Sequence, residues 1–151
     1  MDEPMNEEST SDLRNILNTT TLNEINAYLS EHTSKSSACD IYNAHLASYP
    51  ITIAAIAKNC EGYIARSYVY DIINGVKDHP SRDIVIMICL AAHMNLKQMR
   101  RLLEIYNYRE LYAKDDRDAL IAACINSKEY SITTVNELLY VRQLALLSNK
   151  E

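Results

Sequence analysis

The chain has few of the residues that build turns, with two glycines and three prolines in 151 residues. Antiparallel sheets and hairpins normally need many more, because their tight turns require a positive or a fixed φ angle. Hydrophobic residues still make up 48% of the chain, which is enough to form a sizeable core. The sequence therefore predicts an all-α fold, a compact multi-helix bundle with short loops.

Long hydrophobic runs are also absent. The longest, residues 84–92, ends at His93 and is far shorter than the roughly 18 residues needed to cross a bilayer. The N-terminal sequence MDEPMNEEST has neither the basic start nor the apolar centre of a secretory signal. We therefore expect a cytoplasmic protein without membrane contacts. Its four cysteines are expected to be reduced, because they lie far apart in apolar stretches: Cys39, Cys60, Cys89 and Cys124.

The usual motifs of catalysis and metal binding are missing as well. There is no glycine-rich phosphate loop, no His-Glu-x-x-His pair and no Gly-x-Ser-x-Gly elbow. Cys89 and His93 are four residues apart, but no second pair with ligand spacing accompanies them, so we interpret both as core residues. Asp115, Asp116 and Asp118 are explained by a helix start, where carboxylates complement the helix dipole. We expect no enzymatic activity, no metal and no cofactor.

The net charge of −5 is unevenly distributed along the chain. Residues 1–33 contain seven acidic residues and one arginine, a net charge of −6, so the rest of the chain carries +1. Residues 1–11 lack a periodic apolar pattern and are interpreted as a disordered tail. A capping box from Thr21 to Glu24 then predicts a helix.

Capping residues and breaks divide the remaining chain into short helices. Pro50 ends the first, because the residue before a proline avoids the α region. Gly62 and Gly75 bracket the third, and Ser81 with Asp83 opens the fourth. The fourth is apolar on every side and is predicted to lie at the centre of the core. The predicted helices span residues 37–48, 51–60, 64–74, 84–92, 95–106, 117–126 and 132–147.

The second and third helices, with a glycine between them, form a helix-turn-helix arrangement. Spacing along the third helix predicts one buried face, formed by Ile64, Tyr68, Val69, Ile72 and Ile73. The residues predicted to point outward are Tyr63, Arg66, Ser67, Tyr70, Asp71 and Asn74. Arginine can bind a guanine edge or a phosphate, serine can bind a phosphate, and tyrosine can do either or stack on a base.

At these residues the chain resembles the phage-repressor-like (lambda-repressor-like, XRE-type) helix-turn-helix family, in particular a longer subgroup with a C-terminal helix pair. The resemblance covers roughly residues 37–140 and is carried by Ala57, ARSYVYDIING (65–75), VKDHPSRD (76–83), RDALIAACIN and SITTVNELL. It implies that the third helix enters the major groove of DNA. The implied base-reading residues are Ala65, Arg66, Ser67, Tyr70 and Asp71, and the implied phosphate contacts are Lys77 and Arg82.

The predicted organisation has three parts. An acidic tail with an N-terminal helix occupies residues 1–33, a helix-turn-helix domain occupies 34–106, and a C-terminal helix pair in 107–151 packs on that domain. The leading hypothesis is a sequence-specific double-stranded DNA-binding protein, either a transcriptional regulator or a mobile-element-type repressor. Such proteins commonly read paired half-sites as dimers, so a homodimer is one of the two expected states, beside a monomer. Apolar surface for self-association is expected in the last helix, at Leu138, Leu139, Leu144, Leu146 and Leu147.

The alternative is a protein-interaction module that uses the same helices to bind a protein partner and does not bind DNA. It is supported by the apolar residues 53–55 of the second helix, where polar side chains are common, by Asp71, which stands where glutamine is common, and by the acidic N-terminal segment. The turn at residues 61–63, about two residues longer than usual, is a further departure from the family pattern. A third hypothesis joins the two. The acidic residues 1–33 would compete with DNA for the weakly basic face, so that their removal would tighten DNA binding.

Overall fold

A computed structural model describes residues 37–149, which contain seven α-helices and no strand. The predicted all-α fold is therefore confirmed. The helix expected after Thr21 lies outside the described residues. The seven helices are α1 (Ala38–Ser48), α2 (Ile53–Asn59), α3 (Arg66–Ile73), α4 (Arg82–Ala91), α5 (Leu96–Ile105), α6 (Asp116–Asn126) and α7 (Ile132–Val141).

Side-chain caps begin most of these helices. An oxygen of the N-cap side chain accepts a hydrogen bond from the amide three residues later at Thr52, Ser81, Asn95, Asp115 and Ser131. Such a cap gives a partner to an amide that has none inside the helix and contributes about 1 kcal/mol. Because these polar residues are visible in the sequence, the predicted starts agree with the observed ones to within two residues.

Helix α4 is the centre of the core, as predicted. Residues 84–91 are each at most 1% exposed, and the helix packs against α2, α5 and α7. Burying an isoleucine, leucine or methionine side chain contributes roughly 1.5–3 kcal/mol. Within residues 37–149 no helix combines the length and the apolar character needed to cross a membrane.

All four cysteines are free thiols, and Cys60, Cys89 and Cys124 are buried. Burial raises the pKa of the Cys60 thiol to about 12, so this group stays protonated at neutral pH. Cys60 and its buried counterparts therefore contribute to the core as small apolar side chains.

Two Arg-Asp dipeptides exchange ion pairs between the first turns of α4 and α6. Nη1 and Nη2 of Arg82 donate to Oδ1 and Oδ2 of Asp118 at 3.2 and 3.0 Å. In the other direction, Nη1 and Nη2 of Arg117 donate to Oδ1 and Oδ2 of Asp83 at 3.2 and 2.9 Å. Both pairs are bidentate, the geometry in which arginine holds a carboxylate most firmly. Together they attach the start of α6 to the start of α4.

Asp118 is the more buried of the two carboxylates, with 2% of its side chain exposed. Arg109 Nη2 and the backbone amide of Tyr112 also donate to its Oδ2, at 3.4 and 3.0 Å. Burial alone would raise the pKa of Asp118, but these hydrogen bonds and the charges of Arg82 and Arg109 outweigh it and lower the pKa below its ordinary value. The carboxylate therefore stays ionised and draws the loop between α5 and α6 around it.

The last helix is shorter than the sequence predicts, because α7 ends at Val141 and not at residue 147. Gln143 has a φ of 59°, and the amide of Leu144 bonds to the carbonyl of Leu139 at 3.0 Å. This is the hydrogen bond of a Schellman helix end, which turns the chain away from the helix axis.

After this turn, the backbone of residues 145–148 is held by polar side chains of the bundle. Arg117 donates to the carbonyls of residues 145 and 146 at 2.7 and 3.1 Å. The side chain of Asn136 donates from Nδ2 to the carbonyl of Leu147 at 3.2 Å, and its Oδ1 accepts from the N–H of Leu147 at 2.8 Å. The N–H of Ser148 donates to Asp83 at 3.2 Å. The segment is thus part of the folded bundle.

This arrangement corrects the predicted self-association surface. Leu139 and Leu147 are 0% and 2% exposed and belong to the core, whereas Leu146 is 43% exposed. Leu138 and Leu144 are half-buried. The five leucines do not form one apolar stripe, because the helix stops at Val141 and Leu147 folds back into the core.

The scarcity of glycine shows in how the later helices end. Each of α4 to α7 is followed by a non-glycine residue with a φ of 59° to 66°: His93, Asn107, Lys128 and Gln143. In each case the next amide bonds to a carbonyl five residues earlier, as in a Schellman motif. A left-handed backbone costs a residue that carries a side chain about 1–2 kcal/mol. The backbone is therefore strained at these four helix ends, and the packing of the bundle holds it in this conformation.

We predict that Lys128→Gly stabilises the protein by about 0.5–1 kcal/mol, because glycine adopts the φ of 60° found there without steric cost. Urea unfolding measures the change. Ser127→Gly is the matched control: Ser127 has an ordinary φ of −89°, so glycine there adds only freedom to the unfolded chain and should destabilise. Equal losses in both variants would contradict the prediction.

We predict that Asp118→Asn lowers the free energy of unfolding by about 3 kcal/mol or more, because it leaves the largely buried guanidinium group of Arg82 without a balancing charge. The control is Asp116→Asn, the same change at an exposed position two residues earlier, which should cost no more than about 1 kcal/mol. The double variant Arg82→Met/Asp118→Leu removes both charges and should recover part of the loss. Similar losses for Asp118→Asn and Asp116→Asn would show that the ion pair adds little.

Candidate nucleic-acid interface

Helices α2 and α3 pack against each other and are joined by residues 60–65. Gly62 lies in this turn with a φ of 91°, a conformation that residues with side chains rarely adopt. The amides of Tyr63 and Ile64 both bond to the carbonyl of Cys60, at 2.9 and 3.0 Å. The hydroxyl of Tyr63 also lies 2.7 Å from that of Thr133 in α7, a contact between residues 70 positions apart that nothing in the sequence indicates. The turn is thus fixed at both ends.

The buried face of α3 largely follows the predicted spacing, whereas Tyr63 and Tyr70, which the sequence predicts to point outward, are half-buried and pack against the core. Ile64, Val69, Ile72 and Ile73 are at most 3% exposed, and Tyr68 is half-buried. On the opposite side, three consecutive residues at the start of the helix are exposed: Ala65, Arg66 and Ser67. Tyr70 and Asp71, one turn further along, are half-buried. All five residues that the resemblance implies as base-reading therefore lie on α3 or at its N-cap.

The start of α3 differs from the starts of α2 and of α4 to α7. Its N-cap residue is Ala65, whose side chain has no hydrogen-bond acceptor, whereas the other five have a capping side chain. The first amides of a helix have no partner within it. At α3 the amide of Tyr68 bonds to the carbonyl of Ala65 at 3.0 Å, so the amides without a capping side chain are those of the exposed Arg66 and Ser67.

Arg66 and Tyr70 interact along the outer face of α3. The guanidinium Nη2 donates to the tyrosine hydroxyl at 3.2 Å, and the guanidinium carbon lies 5.1 Å from the ring centroid. Residues four apart on a helix are neighbours, and the ring attracts the cation. The contact uses one nitrogen of this exposed guanidinium, so its other nitrogens remain able to bind a ligand.

Lys77 follows the C-terminal end of α3 and is exposed. Its amide and that of Val76 both bond to the carbonyl of Asp71, at 3.1 and 2.8 Å, which keeps Lys77 close to the helix. The carboxylate of Asp71 lies on the same helix and would repel a phosphate, although it can accept a bond from cytosine.

Arg82 is placed apart from the other predicted DNA contacts. In addition to its two bonds to Asp118, Nε donates to the carbonyl of Arg109 at 3.0 Å and Nη2 donates to that of Glu110 at 3.2 Å. Only 19% of its side chain is exposed. All three guanidinium nitrogens thus donate to groups inside the protein. In this conformation Arg82 cannot make the phosphate contact that the resemblance implies.

Without Arg82 the helix-turn-helix has little net charge. Residues 57–81 contain three basic residues, Lys58, Arg66 and Lys77, and three acidic residues, Glu61, Asp71 and Asp78. Asp78 lies 2.6 Å from the imidazole Nδ1 of His79, and both side chains are largely exposed. The surface therefore lacks the broad positive field of many nucleic-acid-binding proteins.

A groove with a volume of about 660 Å³ lies on the outside of α2 and α3. Its lining includes four alanines, Ala54, Ala55, Ala57 and Ala65, together with the charged Lys58, Glu61 and Arg66. Such short side chains allow another molecule to approach the backbone closely. The run of alanines in the sequence is the signal that indicates this groove.

Cys89 lies in α4, and His93 follows the end of that helix. Within residues 37–149 no three His, Cys, Asp or Glu side chains are grouped as metal ligands. Burial raises the pKa of the Cys89 thiol far above its ordinary value, so the thiolate needed for metal binding is disfavoured. His93 accepts or donates a 3.2 Å hydrogen bond with the hydroxyl of Tyr49, and its ring stacks on that of Tyr130 at 4.5 Å. Its role is in packing.

No family model, curated protein or solved structure matches the chain. The resemblance to phage-repressor-like proteins therefore stays a prediction, based on the residues quoted above.

The position of His93 predicts a pH dependence of stability. Burial, with a further contribution from nearby His45, lowers its pKa from the ordinary value of 6.5. Just below pH 6.5 the unfolded chain therefore binds more protons than the folded protein, and the free energy of unfolding falls as the pH is lowered from 7 towards 5. His93→Asn should reduce this loss of stability at low pH, and asparagine tolerates the positive φ of this position. The measurement is urea unfolding at several pH values.

His79→Asn is the control for this experiment, because that side chain is 91% exposed. It should leave most of the pH dependence in place. If His93→Asn and the wild-type protein lose the same free energy between pH 7 and pH 5, His93 is not the group that titrates.

Proposed function

We propose that this chain is a sequence-specific double-stranded DNA-binding protein, a transcriptional regulator or mobile-element-type repressor, with α3 in the major groove. One observation carries the proposal: the apolar face of α3 is buried while Arg66 and Ser67 are exposed in its first turn. An α-helix fits the major groove, and in helix-turn-helix proteins the N-terminal residues of the second helix contact base edges. A DNA-binding role also agrees with the cytoplasmic location expected from the sequence.

Each polar group on this side of α3 then has a role. Arg66 contacts a guanine edge or a phosphate, and its bond with Tyr70 holds the guanidinium in direction. Ser67 donates to a phosphate, Asp71 accepts from a cytosine amino group, and Lys77 contacts the backbone beyond the helix. The amides at the uncapped start of α3, after Ala65, offer further donors to a phosphate.

The low net charge of the helix-turn-helix predicts how strongly its affinity for DNA depends on salt. Three exposed cations, Lys58, Arg66 and Lys77, give few phosphate contacts, and each contact releases counterions on binding. The slope of log K against log salt should therefore be about −3 for one chain and about −5 for two chains on paired half-sites. Most of the affinity has to come from direct contacts of α3 with bases.

A protein-interaction module is the second candidate function. The alanine-lined groove on α2 and α3 favours it, because short side chains let a protein partner approach the helices closely and the neutral surface has no positive field to attract a polyanion. This function predicts a stable protein partner and no salt-dependent binding to any duplex.

A selection from random duplexes with the full-length protein, at about 50 and 200 mM salt, separates the two functions. The DNA-binding proposal predicts an enriched motif and weaker binding at the higher salt concentration. A motif with two related half-sites would indicate a homodimer. If no duplex is enriched at either concentration, the DNA-binding proposal is wrong.

We predict that Arg66→Ala weakens binding to the selected duplex about tenfold or more, because a base or phosphate contact of arginine contributes about 1–3 kcal/mol. Asp71→Asn should tighten binding to unrelated duplexes, since it removes a negative charge that repels the phosphates wherever no cytosine pairs with it. Arg142→Ala, an equal loss of charge at the exposed end of α7, is the control and should change binding little. Binding of the selected duplex by Arg66→Ala with wild-type affinity would show that another surface reads the DNA.

A further inference from the structure

A cavity of about 400 Å³ lies between α5, α6 and the loop that joins them. Most of its lining is apolar, with walls formed by Leu96, Met99, Leu103, Leu111, Ala119 and Ala122. Pockets that bind small molecules have volumes of about 300–1,000 Å³, mostly apolar walls and a few polar groups. This cavity is at the lower end of that range, so its size fits a small molecule.

Asp118 lines the cavity, but its charge is already balanced. Its two oxygens accept hydrogen bonds from Arg82, Arg109 and the backbone amide of Tyr112. Two guanidinium groups thus compensate one carboxylate. The interior of the cavity therefore has no unbalanced anion that would attract a cationic ligand.

The other charged groups of the lining carry a net positive charge. They are Lys97, Arg100 and Glu110, and all three are exposed. Arg100 Nε lies 3.9 Å from Glu110 Oε1, which is longer than a hydrogen bond. Among residues 37–149, no carboxylate forms an ion pair with Lys97. Both cations can therefore turn towards an anion at the edge of the cavity.

We propose that this cavity binds a small amphipathic carboxylate. Its aliphatic or aromatic body lies against the apolar walls, where burial removes it from water. Its carboxylate stays at the solvent-exposed edge and pairs with Arg100 and Lys97, since the arginine fork matches the two oxygens of a carboxylate. This inference does not depend on DNA binding, so the two proposals can fail separately.

The experiment uses the full chain and a dye, 1-anilinonaphthalene-8-sulfonate, which has an apolar body, carries one negative charge and fluoresces when it enters an apolar site. Bound dye is then displaced with three molecules of the same chain length: octanoate, octan-1-ol and octylammonium. The proposal predicts saturable dye binding. It also predicts that octanoate displaces the dye at a concentration at least tenfold lower than the alcohol or the amine.

Two sets of variants locate the binding. Ala122→Phe fills the cavity and should weaken the binding of dye and octanoate at least tenfold, whereas Ala123→Phe places the same ring on the exposed side of α6 and should not. Lys97→Gln/Arg100→Gln should weaken the binding of octanoate at least threefold and leave the binding of octan-1-ol unchanged. Lys114→Gln, an exposed lysine outside the lining, is the control for charge.

Circular dichroism checks that each variant is folded. If Ala122→Phe does not fold, the Lys97→Gln/Arg100→Gln variant decides, because both positions are exposed. If octanoate and octan-1-ol displaced the dye at equal concentrations, the proposal that the ligand needs a carboxylate would be wrong. Wild-type binding of octanoate by the double variant, or by a folded Ala122→Phe protein, would overturn the site.

Discussion

The ionised carboxylate of Asp118, buried between two guanidinium groups, is the interaction on which much of the described fold depends. It holds the first turn of α4 through Arg82 and the loop before α6 through Arg109 and the Tyr112 amide. An isolated buried charge would cost several kcal/mol, and the bidentate pair offsets this cost only when its geometry is good. The adjacent pair of Arg117 with Asp83 repeats the arrangement in reverse and extends it to the backbone of residues 145–148. One exchange of charges therefore joins the central helix, the C-terminal helix pair and the end of the described chain.

The same interaction shapes the candidate DNA surface. Because Arg82 is used inside the protein, it adds nothing to the field around α3, and the basic and acidic residues that remain there cancel. An extended positive patch would give affinity for any duplex, whereas a neutral surface gives little binding without correct base contacts. If α3 binds DNA, its preference for a correct site should therefore be large relative to its affinity for other DNA. The acidic residues 1–33 would make non-specific binding weaker still.

The sequence predicts those structural features that neighbouring residues determine, and it fails where residues far apart in the chain determine them. The helices and their starts were predictable, because Ser81, Asp115 and similar caps act within one turn. The buried face of α3 was also predictable, since the burial of Val69 and Ile72 follows from helical spacing. Asp118 was not, because an acid in the first turn of a helix is equally well explained by the helix dipole, and its partners lie 36 and 9 residues away. The early end of α7 was missed because Gln143, not a glycine, takes the left-handed position.

The position of the cavity limits what a ligand there could do to α3. Asp118 lines the cavity and binds Arg82, the first residue of α4, and α4 in turn packs against α2. The path from the cavity to the helix-turn-helix is thus short, but it runs through a helix whose residues 84–91 are almost completely buried. Coupling between two sites needs an element with two discrete arrangements, and a close-packed central helix resists such a change. A ligand in the cavity should therefore act first by stabilising the whole bundle through mass action. Any effect on DNA binding would follow from that stability, without a shift of α3 relative to α2.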